Sequence, residues 1–491
     1  MTVLRPHSAH DRPLSSQCLE WDSFLAERRE VLGLRPGIDI DLDEALSYLR
    51  ALPPDKNSAV ALANAKARGD TLLQPRAAVP TIDGQISLMR CLQDDGGADI
   101  LPTQVDSYSR MLDFDRAEAG LRESLQLGQP KLNGFPFVAH GVAGTRQVTE
   151  TVRKPLCMRQ VTPDIRLVAE VALAGGYTGV TSHAIDGVVS FSKNYSFEKS
   201  IKCYQYVDRL AAHYQANGVP IYREYRGMVD AVHLPPSLII ATSILEALMG
   251  AAQGVKVMGV CTYVCGHMFQ EVAGLRVLQR LADEYLGRFG HTDVTVFSVA
   301  NHWLGQFPDD EARAYALINV ATAAAVQGGA TEIIVKSVQE GKGIPTKEAN
   351  AASLRSVRAV VRTFKVQGLV LDRALLAEEE RIIEMETRAL INKTLELGDG
   401  DPATGTVRAF EAGILDSLLA PYRGLKGEIM IVRDGHGAMR YLDHGKLPLP
   451  AEAIAYNRER LALRTARDGR HPDYETLVAD INAISDGGLL P

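Results

Sequence analysis

Three stretches decide the fold reading: Thr71-Leu72-Leu73-Gln74-Pro75-Arg76, Ala98-Asp99-Ile100-Leu101-Pro102 with Arg110 beyond it, and Pro155-Leu156-Cys157-Met158-Arg159. Each is a short apolar run of strand character with an arginine after it. Parallel strands closed into a barrel deliver the residues at their C-terminal ends to one mouth, where barrel active sites lie. A guanidinium stays charged and presents a planar fork of donors, so three together make a seat for carboxylate or phosphate. Taken singly, each arginine reads first as a surface or salt-bridged residue, because arginine is mostly exposed, and only the repeated strand-then-arginine context brings the binding reading level for the set.

Outward from these runs, β-rich segments alternate with amphipathic stretches, the rhythm of a βα repeat. Further strand candidates are residues 132–138, 177–182, 220–225, 255–260, 293–299 and 332–336. That makes nine for a barrel that needs eight, so one lies outside it. Helices are plain at residues 163–174 and 238–253. A doubly wound open sheet is the alternative. The Gly-x-Gly-x-x-Gly opening of a dinucleotide-binding sheet follows none of the strands. The fold expected is α/β: a TIM (β/α)8 barrel over 71–369, preceded by an N-terminal arm and helices over 1–70. A smaller C-terminal α+β domain follows over 370–491, with a charged helix at 373–397, a hairpin about Asp434-Gly435-His436-Gly437 and closing helices.

The totals narrow the class. With 46% hydrophobic and 23% charged residues, the 491-residue chain has the make-up of a globular protein. A net charge of −7 argues against a general nucleic-acid binder. Six scattered cysteines suit reduced thiols in the cytoplasm rather than a disulfide framework. No apolar run reaches membrane-spanning length. Residues 1–17 are polar, without a signal-peptide core, and read as a loose arm.

Other constellations are weaker. Cys261, Cys265 and His267 lack the second ligand pair that structural zinc needs. His233 and His302 stand beside strand ends as pocket or structural histidines. Lys336 follows a buried strand and Glu340 stands in a Gly-rich loop. The pair reads as a surface salt bridge or as a grip on ribose hydroxyls.

Taken in order, Leu73-Gln74-Pro75-Arg76, the Asp94-Asp95-Gly96-Gly97 turn, Leu132-Asn133-Gly134-Phe135-Pro136, Pro155-Leu156-Cys157-Met158-Arg159, Ile344-Pro345-Thr346-Lys347-Glu348 and Tyr456-Asn457-Arg458-Glu459-Arg460 carry a resemblance. The chain resembles the large (epsilon) subunit of glutamate mutase, also called methylaspartate mutase, from about residue 15 onward. The resemblance implies a TIM barrel paired with a small cobalamin-binding (sigma) subunit in a heterotetramer. It implies adenosylcobalamin, supplied with the small subunit, and radical isomerisation of L-glutamate to 3-methylaspartate. The Asp-x-His-x-x-Gly loop that ligates cobalt belongs to the small subunit, and Asp434-Gly435-His436 lacks its final glycine. Carried over residue by residue, Arg76, Arg110 and Arg159 grip the substrate carboxylate. Lys336, Glu340 and Ile344 fall on cofactor-contacting positions.

The departures are local. The family's ammonium-binding glutamate falls on Thr181, and its active-site tyrosines fall on Gly187 and Phe191. Its glycine run is Ser182-His183-Ala184, and a histidine-glycine pair is Gln160-Val161. Losing one partner of a buried ion pair costs about 3–5 kcal/mol, roughly two to four powers of ten in affinity. Three readings stay open: a mutase for a different carboxylic acid, a glutamate mutase in which Asp186 or His183 replaces the lost carboxylate, and a non-catalytic homologue. A cobalamin-independent barrel lyase using Lys336 stands outside the family.

Overall fold

The computed structural model describes residues 12–229 and 233–486. Eight parallel strands form its centre: β1 (Leu72–Pro75), β2 (Leu101–Gln104), β3 (Leu156–Arg159), β4 (Gly179–Thr181), β5 (Tyr222–Arg226), β6 (Val257–Tyr263), β7 (Thr295–Asn301) and β8 (Glu332–Val335). Neighbours pair in chain order and β8 returns to β1. The ring closes between β1 and β2, where Asp99 N donates to Leu73 O at 3.0 Å and Leu73 N donates to the Asp99 carboxylate at 2.9 Å. This is a TIM barrel with its helices outside.

The ninth strand candidate is corrected. In residues 132–138 only Phe135 bridges, to Val105, and Phe137 already opens the helix Phe137–Thr151. Pro136 has no N–H to continue a ladder. Gly134 lies against the backbone of residues 104–106, where a Cβ would come within 2.6 Å of Asp106 N.

Alternate strand residues face the barrel axis. At the N-terminal end these are Ile100, Cys157, Tyr222, Cys261, Phe297, Val299 and Ile334, which cluster with Ala59 and Leu62 of the helix Ser58–Arg68. That helix closes the bottom, and its Lys66 Nζ donates to Val296 O at 2.5 Å. One layer higher the interior turns polar, with Gln74, Arg159, Glu224 and Glu332 all buried.

The helix Pro236–Ala252 is apolar all round and buried along its length, as expected of a helix covered on every side. The helix Arg373–Leu397 lies across it and joins it through Ser237 Oγ to Glu386 at 2.8 Å. The same long helix pairs Arg388 with Glu284, at 2.5 Å, on the helix Met268–Arg288. Strands β9 (Met430–Arg433) and β10 (Met439–Asp443) form an antiparallel hairpin. In its turn the buried Asp434 carboxylate accepts from His436 N at 2.8 Å and Ala438 N at 3.2 Å.

The expected loose arm is in part a tether. Residues 1–11 lie outside the described residues. Arg12 donates to Lys202 O at 3.0 Å, and Ser16 N donates to Asp401 at 2.6 Å. Among the described residues no helix is long and apolar enough to cross a membrane.

Candidate active site

The C-terminal ends of the strands bring the three sequence-marked arginines together. Arg76 directly follows β1 and Arg159 ends β3. Arg110 comes from the helix Ser107–Arg110 after β2, with its Nε held by Val105 O at 2.8 Å. All three line one cavity of about 40 Å³, together with Gln104, Gln160, Val161, Thr181, Phe191 and Arg226. That is the space left for the centres of water-sized groups; the free space between the lining atoms is about 310 Å³.

The arginines differ in state. Buried Arg159 grips Glu224 with two nitrogens, Nη1 to Oε2 at 2.8 Å and Nη2 to Oε1 at 3.1 Å. It also contacts Gln74 through Nη1. Burial disfavours its charge, but Glu224 outweighs that and holds it above the ordinary value. Among the described residues neither Arg76 nor Arg110 forms an ion pair, although Glu340 and Asp106 favour their charges from further off. Burial is the main pull on both, lowering Arg76 to about 10 and Arg110 below its usual value. Among the described residues, these two guanidinium groups line the cavity with no carboxylate in direct contact.

Beneath Glu224 lies Glu332, which accepts from Tyr222 Oη at 2.7 Å and Gln74 Nε2 at 3.0 Å. Burial first, and then the Glu224 charge, raise Glu332 well above the carboxylate range. Burial and the neighbouring Glu224 thus hold Glu332 toward its protonated form, the usual settlement of like charges at close quarters.

Thr181 ends β4 and lines the cavity. Its Oγ1 lies 3.2 Å from both Arg159 Nη1 and Glu224 Oε2. Gln160 and half-exposed Phe191 are also in the wall. His183 and Asp186, either of which one of the open readings would put in place of the lost carboxylate, are not among the residues that line it. His183 Nδ1 accepts from Arg226 N at 3.0 Å, and burial followed by Arg226 keeps the ring neutral. The Asp186 carboxylate takes Ser190 Oγ at 2.6 Å, Val229 N at 3.2 Å and Arg226 Nη2 at 3.3 Å. Both therefore position Arg226. Gly187, on a tyrosine position of the resemblance, has no room for a side chain, because a Cβ would come within 2.8 Å of Thr162 O.

Lys336 follows β8, buried, with Nζ 2.5 Å from Glu340 Oε2. Its backbone N donates to His302 Nδ1 at 3.4 Å. Burial and then Arg76 pull the lysine down to about 8, against Glu340. Ile344 is 58% exposed and lines an open groove of about 900 Å³ whose wall also includes Arg76, His140 and Lys347. Arg76 is common to groove and cavity. Cys261, Cys265 and His267 have separate tasks. Cys261 packs in the barrel floor, Cys265 meets Gln270 Oε1 at 3.5 Å, and His267 caps the helix Met268–Arg288.

Sequence reasoning missed Gln104, Glu224 and Arg226. The signal was present in Tyr222-Arg223-Glu224-Tyr225-Arg226, where three charged residues occupy a strand that a parallel barrel buries on both faces. Arg223 points outward to Asp208 at 2.7 Å, whereas Glu224 and Arg226 point inward.

A parallel βα barrel with guanidinium groups gathered at its mouth defines the class: a TIM-barrel protein with an arginine-lined cavity. The chain belongs to the methylaspartate mutase E chain family, whose model matches residues 52–491. It is 43% identical to the glutamate mutase epsilon subunit of Desulfitobacterium hafniense (strain Y51), over 97% of this chain and 99% of that one. It is 42% identical to that of Treponema denticola, over 95% and 96% of the two chains. The corresponding subunit of Haloarcula marismortui is 39% identical over 92% and 91%.

Proposed function

We propose that this chain is the substrate-binding large subunit of an adenosylcobalamin-dependent carbon-skeleton mutase, an isomerase acting on a small carboxylic acid. It works with a small cobalamin-binding subunit in a heterotetramer. The observation that carries the reading is the position of Arg76, in the wall of both the anion cavity and the open groove. An acid held by Arg76 and Arg110 would share Arg76 with whatever fills the groove.

The residues present fit the cofactor. Lys336 and Glu340 offer a donor and an acceptor suited to ribose hydroxyls, and exposed Ile344 offers an apolar contact. When bound, adenosylcobalamin supplies the radical that removes a hydrogen atom from the substrate. The chain's own residues do the rest. Arg76 and Arg110 bind and orient the carboxylate, and the Arg159–Glu224 pair fixes the cavity floor. Phe191 and Val161 are the apolar part of the wall and shield reactive species from water.

The test is reconstitution with a cognate small subunit and adenosylcobalamin, followed by electron paramagnetic resonance with candidate acids. A cobalt-coupled radical that appears with an acid and vanishes in Arg76→Gln supports the proposal. Silence with every acid, despite assembly, sinks it in favour of a non-catalytic homologue. The lowered Lys336 favours one other reading, Schiff-base chemistry in a cobalamin-independent lyase. The 2.5 Å pairing with Glu340 opposes it, and borohydride trapping of substrate on Lys336 decides.

A further inference from the structure

The cavity is richer in positive charge than the three sequence-marked arginines imply. Arg226, at the end of β5, is a fourth guanidinium in its wall. It is buried, its Cζ lies 5.7 Å from the centre of the Tyr263 ring, and its one ion pair is the 3.3 Å contact with Asp186. No lining residue is acidic. The two carboxylates behind the wall, Glu224 and Asp186, are each engaged by an arginine. Four guanidinium groups thus face two carboxylates, and Lys336 is balanced by Glu340. Among the described residues, Asp106 and Glu340 favour the charges of Arg110 and Arg76 from further off, and the wall itself keeps an excess of positive charge.

A second observation points to a ligand. Arg159 Nε, Arg226 Nε, Gln160 Oε1 and Gln160 Nε2 are buried and have no hydrogen-bond partner among the described residues. Buried polar groups are rarely left so, and these four belong to three residues of the same small cavity. Thr181 adds only a hydroxyl, already shared with Arg159 and Glu224. A substrate ammonium would find no free carboxylate here and three or four cations around it.

We propose that the site takes a small dicarboxylate without an amino group, one carboxylate on Arg76 and Arg110 and the other on Arg226, with Gln160 beside it. This inference rests on the carboxylic-acid reading above and narrows it. Arg226 then sets specificity, and His183 and Asp186 act by placing it.

Binding to the purified full-length chain is measured by titration calorimetry with glutarate, L-glutamate and butyrate, for the wild type, Arg226→Gln and Arg226→Lys. Glutarate should bind the wild type at least about 100-fold more tightly than L-glutamate or butyrate. Arg226→Gln should bring glutarate close to butyrate and leave butyrate within about threefold, while Arg226→Lys, which keeps the charge but not the planar fork, keeps only part of the preference. Retained butyrate binding also shows that the variant is folded. Wild-type L-glutamate affinity equal to or above that of glutarate overturns the inference and leaves the mutase reading standing. So does an equal loss of glutarate and butyrate in Arg226→Gln. If none of the three acids binds the wild type, the carboxylic-acid reading fails as well.

Discussion

Removing the Glu224 charge tests the floor of the cavity directly. Arg159 is 2% exposed and Glu224 is fully buried, and two nitrogens of one meet both oxygens of the other. In Glu224→Gln the amide can still accept one hydrogen bond, but its NH2 faces a guanidinium donor. Breaking a buried pair on one side costs about 3–5 kcal/mol. A chain of 491 residues has an unfolding entropy of about 1 kcal/mol per kelvin, so the midpoint should fall by about 3–5 °C. Glu332 makes the loss depend on pH. It is held protonated by burial and by the Glu224 charge. Without that charge Glu332 ionises more readily as pH rises and becomes the counter-ion of Arg159. The deficit should therefore be larger at pH 6 than at pH 9. Calorimetric melting at one scan rate measures both values. A control pair, Glu224→Leu with and without Arg159→Met, should recover much of the loss in the double variant. A midpoint within about 1 °C of the wild type at pH 6, or a deficit that grows with pH, would refute the argument.

Arg76→Gln and Arg110→Gln should each weaken acid binding by about 10- to 100-fold, because each removes a charge-assisted contact. Neither should lower the melting midpoint, since neither guanidinium has a carboxylate partner. Titration calorimetry and melting on one preparation separate the two effects. Lys336 loses its proton as pH rises through about 8, so glutarate affinity should fall about 10-fold between pH 7 and pH 9.5 and stay flat in Lys336→Met. Its folded value lies below the unfolded one, so the unfolded chain binds the extra proton between about pH 8 and 10.5, and Lys336 makes stability rise with pH across that window. Glu246 is raised to about 8 by burial, against hydrogen bonds from Ile185 and Ala184. Here the folded state binds more protons between the unfolded value and about 8, so this group makes stability fall as pH rises through that range. Glu246→Gln should be near neutral at pH 5 and stabilising by a few kcal/mol at pH 8.5 in denaturant titrations.

The repeating strand-and-helix pattern by itself pointed to a βα barrel, with a doubly wound open sheet as the alternative, and placed Arg76, Arg110 and Arg159 after strands, whose ends a parallel barrel sends to one mouth. It could not tell the run at 132–138 from a ninth strand, since apolar content is blind to the missing N–H of Pro136 and the close approach at Gly134. Nor could it rank the arginines. Whether a guanidinium is free or neutralised depends on which side chain stands across the barrel, and Glu224 is 65 residues from Arg159. The same holds for Arg226, whose neighbours Asp186 and His183 are 40 and 43 residues away. Charge balance in a buried layer is a property of distance in space, so tertiary structure decided it.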